Sequence, residues 1–314
     1  MKQINQNKKN VKALVLFSGG LDSRLVIKIL SEQLDKKNII ALIFNLPFGS
    51  RYEKSFNESL EFCKQQGIKT KIINVTKGKF LQEYFKILKN PKYGYGSACN
   101  PCIDCHIWML KKAKEYADKQ SQKIEIIATG EVLGERPMSQ NKKALDIIEQ
   151  EAGLKGRLLR PLSAKLLPET QAEKFGLIDR NKLFGIQGRS RKLQIGLAKK
   201  YDVSFPSPGG GCLLCEPDFC QKLKPLLEKE KIEEIDIALL KIGRHFENSN
   251  IVLGKNHQEN LRLEEIYNKY KQGILLVPEQ PGPTAFVKDK KFIDKAKELI
   301  KKYSKHEIIN IKEK

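Results

Sequence analysis

The chain has 314 residues, 40% of them hydrophobic, enough for a sizeable core and two domains. Lys and Arg number 58 against 37 Asp and Glu, and the resulting formal charge of +21 gives a field that attracts polyanions, RNA being the simplest. No apolar run reaches the length of a membrane span and the first ten residues are polar, which excludes a signal peptide; a cytoplasmic protein without membrane contact is expected. In that setting the seven cysteines read as metal or redox groups before disulfides.

Residues 1–10 are expected to be disordered. Short apolar runs at 13–17, 39–44, 71–75 and 124–129 predict strands, each followed by a stretch of helical period. This alternation argues for a parallel sheet flanked by helices over residues 11–165. In such sheets ligands bind beyond the carboxyl ends of the strands, where Ser18, Asn45 and Gly130 fall. Residues 166–212 are expected to form a basic connecting segment. Within it Pro168-Glu169-Thr170 opens a helix, Gly188-Arg189-Ser190-Arg191-Lys192 begins a second, and residues 205–211 form a Pro/Gly-rich loop ending at Cys212. Residues 213–314 predict a smaller α+β domain with strands at 250–253 and 273–277, closing in a Lys-rich helix from Lys290 with a frayed tail.

The first strand breaks into Ser18-Gly19-Gly20 before the helix near Leu21, a turn whose glycines and helical N–H groups suit an anion. Asp22 inside that turn would repel a bare phosphate, so Mg²⁺ accompanying a polyphosphate is expected. The spacing is neither a Walker A loop nor G-x-G-x-x-G. Instead, Ser18-Gly19-Gly20-Leu21-Asp22-Ser23 resembles the S-G-G-x-D-S loop of the PP-loop ATP pyrophosphatases, which split ATP between the α and β phosphates.

Cys99-Asn100-Pro101-Cys102-Ile103-Asp104-Cys105-His106 gathers three cysteines, and Cys212, Cys215 and Cys220 follow much later. Clustered thiolates read as a Cys₄ zinc site, as three ligands of a 4Fe–4S cluster with one open iron, or as a persulfide-carrying pair; spacing alone leaves these open. Cys63 and Cys220 sit in helical patterns and read as core thiols.

The Cys segment is similar to that of the tRNA 2-thiouridylases. The whole chain resembles short proteins grouped with the tRNA 4-thiouridine synthetases. Besides the loop and the Cys segment, it carries Ala128-Thr129-Gly130-Glu131, Arg136-Pro137-Met138-Ser139-Gln140, Arg160-Pro161-Leu162-Ser163-Ala164-Lys165 and Pro206 to Leu214 in the same order. The resemblance implies an adenine nucleotide α-hydrolase-like PP-loop domain. Gly243-Arg244-His245-Phe246 and Gly254-Lys255-Asn256 resemble the RNA-binding domain of ribosome-rescue factors. Only about ten residues precede the first strand, so the N-terminal RNA module and terminal rhodanese domain of full-length synthetases are not expected.

What the resemblance implies is ATP-dependent thiolation of a tRNA uridine. The carbonyl oxygen is adenylated, pyrophosphate leaves, and sulfur displaces AMP. Ser18, Gly19, Gly20, Asp22 and Ser23 would hold pyrophosphate and Mg²⁺; Phe44, Asn45 and Gly130 would border the nucleotide. Cys102, Cys105 and Cys212 would act at the active site as 4Fe–4S ligands. Lys165 and Arg160 are candidates for stabilising phosphate charge. Asp104 is a candidate for proton transfer, or alternatively a helix cap. Tyr93-Gly94-Tyr95-Gly96 reads as a base-stacking loop or as packing. Arg189, Arg191, Lys192, Arg244 and Lys255 are the candidate RNA contacts. Sulfur would come from outside the chain, from a cysteine desulfurase, a sulfur carrier or free sulfide. Two other readings use the same residues: ATP chemistry on a small-molecule precursor, and a non-catalytic tRNA- or ribosome-binding protein.

Overall fold

Runs of β-branched and aliphatic residues alternate with amphipathic segments through the first two-thirds of the chain, and the computed structural model shows what they become. It describes residues 11–48, 53–206 and 212–314. The expected disorder of residues 1–10 and most of the Gly-rich loop, residues 207–211, lie outside the described residues. In chain order the elements are β1 (Ala13–Leu16), α1 (Leu21–Ser31), β2 (Ile39–Asn45), α2 (Glu53–Gln66), β3 (Lys69–Asn74), α3 (Gly78–Lys89) and α4 (Cys102–Asp118). Then come β4 (Ile126–Ala128), α5 (Lys142–Glu151), β5 (Leu158–Leu159), α6 (Gln171–Lys174) and α7 (Lys192–Lys200). The remainder holds α8 (Pro217–Leu227), α9 (Glu234–Leu240), β6 (Arg244–Phe246), β7 (Ile251–Leu253), α10 (His257–Tyr270), β8 (Ile274–Pro278), β9 (Ala285–Val287), α11 (Ile293–Tyr303) and β10 (Ile311–Glu313).

Two compact units divide the chain: one holds residues up to Val75 with Asn90–Leu213, the other Thr76–Lys89 with Leu214–Lys314. In the first, five parallel strands run in the order β3-β2-β1-β4-β5. Alternation sorts their side chains between two faces. Ala13, Val15, Ile39, Ala41, Ile43, Ile126 and Ala128 share one apolar core with Leu25, Val26 and Ile29 of α1 and Ala198 of α7. The strand order reverses between β1 and β4, so the crevice of this sheet opens beyond the carboxyl ends of those two strands.

Residues 166–212 are not a connector. Ala172, Ile178, Leu183, Ile186, Ala198 and Val203 are buried in the core beneath α1, so apolar burial makes most of this stretch part of the first unit. The helix expected after Pro168 is one turn, α6, closed by a capping box between Thr170 and Glu173.

The second unit is an antiparallel sheet in the order β10-β8-β9-β7-β6. Ile251 and Leu253 face the apolar side of α11, with Ala296, Leu299 and Ile300. Val252, between them, faces Leu239 and Leu263 of α9 and α10. The tail expected to fray instead pairs Ile311–Glu313 with β8, since main-chain hydrogen bonds to an open sheet edge outweigh its charged composition. No helix among the described residues is long and apolar enough to cross a membrane.

Candidate active site

The candidate site is built at the end of β1. Gly19 takes φ 78°, the left-handed region glycine tolerates, and turns the chain from strand to helix. Gly20 is the N-cap of α1 and contributes no side-chain cap, which leaves the first-turn N–H groups for another acceptor. Ser23 Oγ donates to the Gly20 carbonyl at 3.0 Å and lies 3.3 Å from Ser18 Oγ. Beneath the turn lies Arg24, which is buried. Its Nε donates to the Gly19 carbonyl and its Nη1 to the Ser204 carbonyl, each at 2.7 Å, while its guanidinium stacks 4.6 Å from the Phe62 ring. The carbonyl of Gly19 is thereby drawn inward. Sequence reading passed over Arg24; the available signal was a cation amid the apolar residues of α1.

The Asp22 carboxyl completes the turn, and its Oδ1 is buried with no hydrogen-bond partner. Burial pushes its pKa up to about 6 and Glu135 adds to the rise, whereas Arg191 and Arg136 oppose it. A carboxylate desolvated in this way, beside a helix N-terminus, fits one protein ligand of a Mg²⁺ whose remaining positions are water and phosphate. Gly130, just beyond β4, presses on the same turn. A Cβ there would stand 2.8 Å from Ser23 N and 2.9 Å from the Asp22 carbonyl carbon, so only glycine fits. Phe44, at the end of β2, meets Trp108 edge-on at 5.9 Å, and the Asn45 carbonyl accepts from Val75 N at 3.0 Å. Asn45 ends β2, and Ser18 and Gly130 follow β1 and β4, so the three lie at the carboxyl ends of adjacent strands.

Cys102 and Cys105 occupy the first turn of α4, three residues apart and so on neighbouring positions of one face, with Cys105 buried. Cys212 is a thiol donating to the Phe48 carbonyl at 3.4 Å. Among the described residues no group of three or more His, Cys, Asp or Glu side chains is gathered to hold a metal ion. Cys63 is buried beside Arg24, and burial pushes its thiol up to about 11, as befits a core residue.

Three candidate residues lie in other settings. Asp104 accepts the backbone N–H groups of Lys92 (2.9 Å) and Tyr93 (3.0 Å), so both carboxylate oxygens hold the loop ahead of the Cys segment rather than capping α4 or standing ready for a proton. The Tyr93 hydroxyl donates to Glu151 at 2.9 Å, and Tyr95 is exposed. Lys165 lines a shallow pocket with Glu32, Lys200 and Tyr201 and donates to the Asn181 carbonyl at 3.1 Å. Glu32 ends α1 ten residues after Asp22, about 15 Å along the helix, so Lys165 belongs to the opposite end. Arg160 is buried and bonded to Glu131 (3.0 Å), Glu149 (2.7 Å) and the Leu145 carbonyl (3.2 Å). Glu131 also accepts from Thr129 at 2.9 Å and lies 2.9 Å from His106 Nδ1. Burial would raise the Glu131 pKa, yet Arg160 and His106 hold it down to about 2. This is a buried ionic framework under the Cys-bearing helix.

Arg191 Nη2 donates to Glu135 at 2.7 Å, whereas Arg189 and Lys192 are exposed. In the second unit Arg244 lies 5.0 Å from the Tyr303 ring, and Lys255 is exposed.

Residues 11–153 match the family model described as the tRNA methyl transferase HUP domain. The first unit has the HUP/PP-loop fold, a five-stranded parallel sheet flanked by helices. No curated protein matches the chain. Similar solved structures include a predicted subunit of tRNA methyltransferase from Methanocaldococcus jannaschii, at 19% identity and TM-score 0.34, covering 64% of this chain and 96% of that one. The U34-tRNA thiolase NcsA from Methanococcus maripaludis with its 4Fe–4S cluster is 19% identical at TM-score 0.38, covering 67% and 65%. The NH3-dependent NAD synthetase from Campylobacter jejuni in complex with nitrate is 18% identical at TM-score 0.37, covering 76% and 88%.

Proposed function

We propose that this chain is a PP-loop enzyme that modifies tRNA, using ATP to activate a uridine carbonyl oxygen that sulfur then replaces. The observation that carries the reading is Asp22: a buried, unpartnered carboxylate oxygen in a glycine turn at an uncapped helix N-terminus. Such an arrangement is unfavourable alone and is relieved by a cation carrying a polyphosphate. The match of residues 11–153 to a tRNA-modification family and the formal charge of +21 support a tRNA substrate.

Oxide is a poor leaving group from a pyrimidine, whereas AMP is a good one. The uridine oxygen attacks the α-phosphate, pyrophosphate departs, a sulfur nucleophile adds at the activated carbon and AMP leaves. Ser18, Gly19, Gly20 and Ser23 supply N–H and hydroxyl donors to the pyrophosphate; Asp22 would hold a Mg²⁺, which would supply charge neutralisation to the phosphates. Phe44, Asn45 and Gly130 border the nucleotide. Cys102 and Cys105, together with Cys212, would handle sulfur delivered by an external donor, and a 4Fe–4S cluster held by these three thiolates would supply an iron to carry it. Arg189, Lys192, Arg244 and Lys255 are the proposed RNA contacts, the last two in the second unit.

The test is release of pyrophosphate and AMP from ATP by purified protein with tRNA and Mg²⁺, joined to mass spectrometry of tRNA nucleosides from cells lacking the gene. Asp22→Ala should abolish release. An unchanged complement of thiolated nucleosides in the deletion strain would remove thiolation from the reading.

A further inference from the structure

Arg191 was expected to touch RNA, but its surroundings point elsewhere. Gly130 packs on the backbone of Asp22 and Ser23, and the chain runs from there through Val132 and Leu133 to Glu135 in five residues. That stretch carries the segment before α7 with it. Leu133 forms a parallel bridge with Gln187, and Gly188 N donates to the Leu133 carbonyl at 2.8 Å. Arg191 is the N-cap residue of α7, and α7 packs on α1, the helix that begins with the glycine turn. One continuous scaffold therefore brings Arg191 to the phosphate turn.

The anchorage of the side chain is partial. Glu135, buried, takes a single N–H from Arg191 Nη2, and its other oxygen accepts from Gln194 Nε2 at 3.3 Å. A guanidinium has five N–H donors in a rigid fork. Among the described residues Arg191 spends one, and its side chain is only partly covered. Arg136, at the next position after Glu135, is exposed. At the other end of α7 the Tyr201 hydroxyl donates to Glu32, the C-cap of α1, at 3.1 Å, so α7 runs alongside α1 with its Arg191 end toward the glycine turn.

We propose that Arg191 is a ligand of the nucleotide's phosphates, held by Glu135 through one N–H and presenting its remaining donors to the polyphosphate on the Ser18–Ser23 turn. The inference rests on the reading of that turn as a polyphosphate site, and it names the side chain that completes it. A fork anchored at one corner loses little freedom when it binds, which suits it to a phosphate that must be gripped and then released as pyrophosphate.

The test is calorimetric titration of the intact protein with inorganic pyrophosphate and Mg²⁺, with no RNA or sulfur donor present. Arg191→Gln should weaken binding about tenfold or more, the range of a charge-assisted hydrogen bond. Arg191→Lys, which keeps the charge without the fork, should recover part of the loss. Lys199→Gln, which removes an exposed charge from the same helix, should bind as the parent does. Equal affinity of parent and Arg191→Gln overturns the proposal, and so does loss of tRNA affinity in Arg191→Gln with pyrophosphate binding intact, which returns the residue to RNA. A parent protein that does not bind pyrophosphate overturns both the proposal and the reading of the turn. Arg191-dependent binding by a protein that never thiolates tRNA overturns thiolation alone.

Discussion

Arg24 and Gly19 are joined by a buried hydrogen bond of 2.7 Å from Nε to the main-chain carbonyl, and this bond sets the direction of the glycine turn. With that carbonyl held inward, the first-turn N–H groups of α1 are left without a side-chain cap. The same guanidinium ties the turn to Ser204, 180 residues later. Arg24→Met keeps much of the volume and loses both bonds. It should lower unfolding stability by about 2–4 kcal/mol in urea titration, since each lost bond involves a charged donor and leaves a carbonyl unpaired. A loss below about 0.5 kcal/mol would mean that the turn holds its shape unaided.

Gly130→Ala inserts a methyl group where the backbone of Asp22 and Ser23 already stands. Overpacking of this kind costs about 1–3 kcal/mol and must displace either β4 or the turn. We expect reduced stability together with weakened pyrophosphate binding. Gly196→Ala, in α7 with nothing near the added Cβ, is the matched control and should be neutral or slightly stabilising. If both variants behave alike, close approach at Gly130 is not what matters.

The Asp22 carboxyl has a pKa near 6 in the folded chain against 3.8 for the free side chain, through burial first and Glu135 second. A raised pKa means that the folded state binds the proton more tightly. Its contribution to stability is therefore full below pH 3.8 and is lost as pH rises through about 6. Asp22→Asn removes this dependence and should be more stable than the parent at pH 7, on the order of 2 kcal/mol, while losing ATP cleavage. Unfolding of the two proteins compared from pH 4 to 7 checks it; a constant difference across that range would contradict the assignment.

Arg160 is predicted to matter for stability before chemistry. Arg160→Met strands Glu131 and Glu149, at a cost of about 3–5 kcal/mol. Adding Glu131→Gln to that variant should restore part of the loss, because the unpaired buried charge is gone. Glu131 titrates in the opposite sense to Asp22. Its pKa is lowered, so its contribution is present above pH 4.5 and is lost as pH falls through about 2. Thermal melts of the single and double variants at pH 7 decide it; additive losses would mean that the two residues are not coupled.

Sequence and structure divide along the range of the interactions. The strand, glycine turn and helix at the first motif are legible in the chain because each depends on neighbours within about four residues: apolar alternation, a residue tolerant of positive φ, and a 3.6-residue apolar stripe. The placement of Ser18, Asn45 and Gly130 along one sheet edge is legible as well, since parallel strands joined by helices put all their carboxyl ends on one side. Asp104 shows the limit. Its local pattern allows a cap or a proton carrier, whereas its partners are amides eleven and twelve residues earlier.

Composition and local pattern by themselves determined that this chain folds as a parallel α/β unit followed by a smaller mixed one, with a glycine turn after its first strand. Only the tertiary structure decided that Arg24 braces that turn, that Arg160 is spent on Glu131, that Lys165 sits at the far end of α1 and that Arg191 stands near Asp22. Apart from the five-residue bond between Arg24 and Gly19, the hydrogen bonds behind those outcomes reach up to 180 positions along the chain. Such pairs are chosen by which side chains the packed sheet leaves facing one another, and a linear pattern of hydrophobicity carries no record of that.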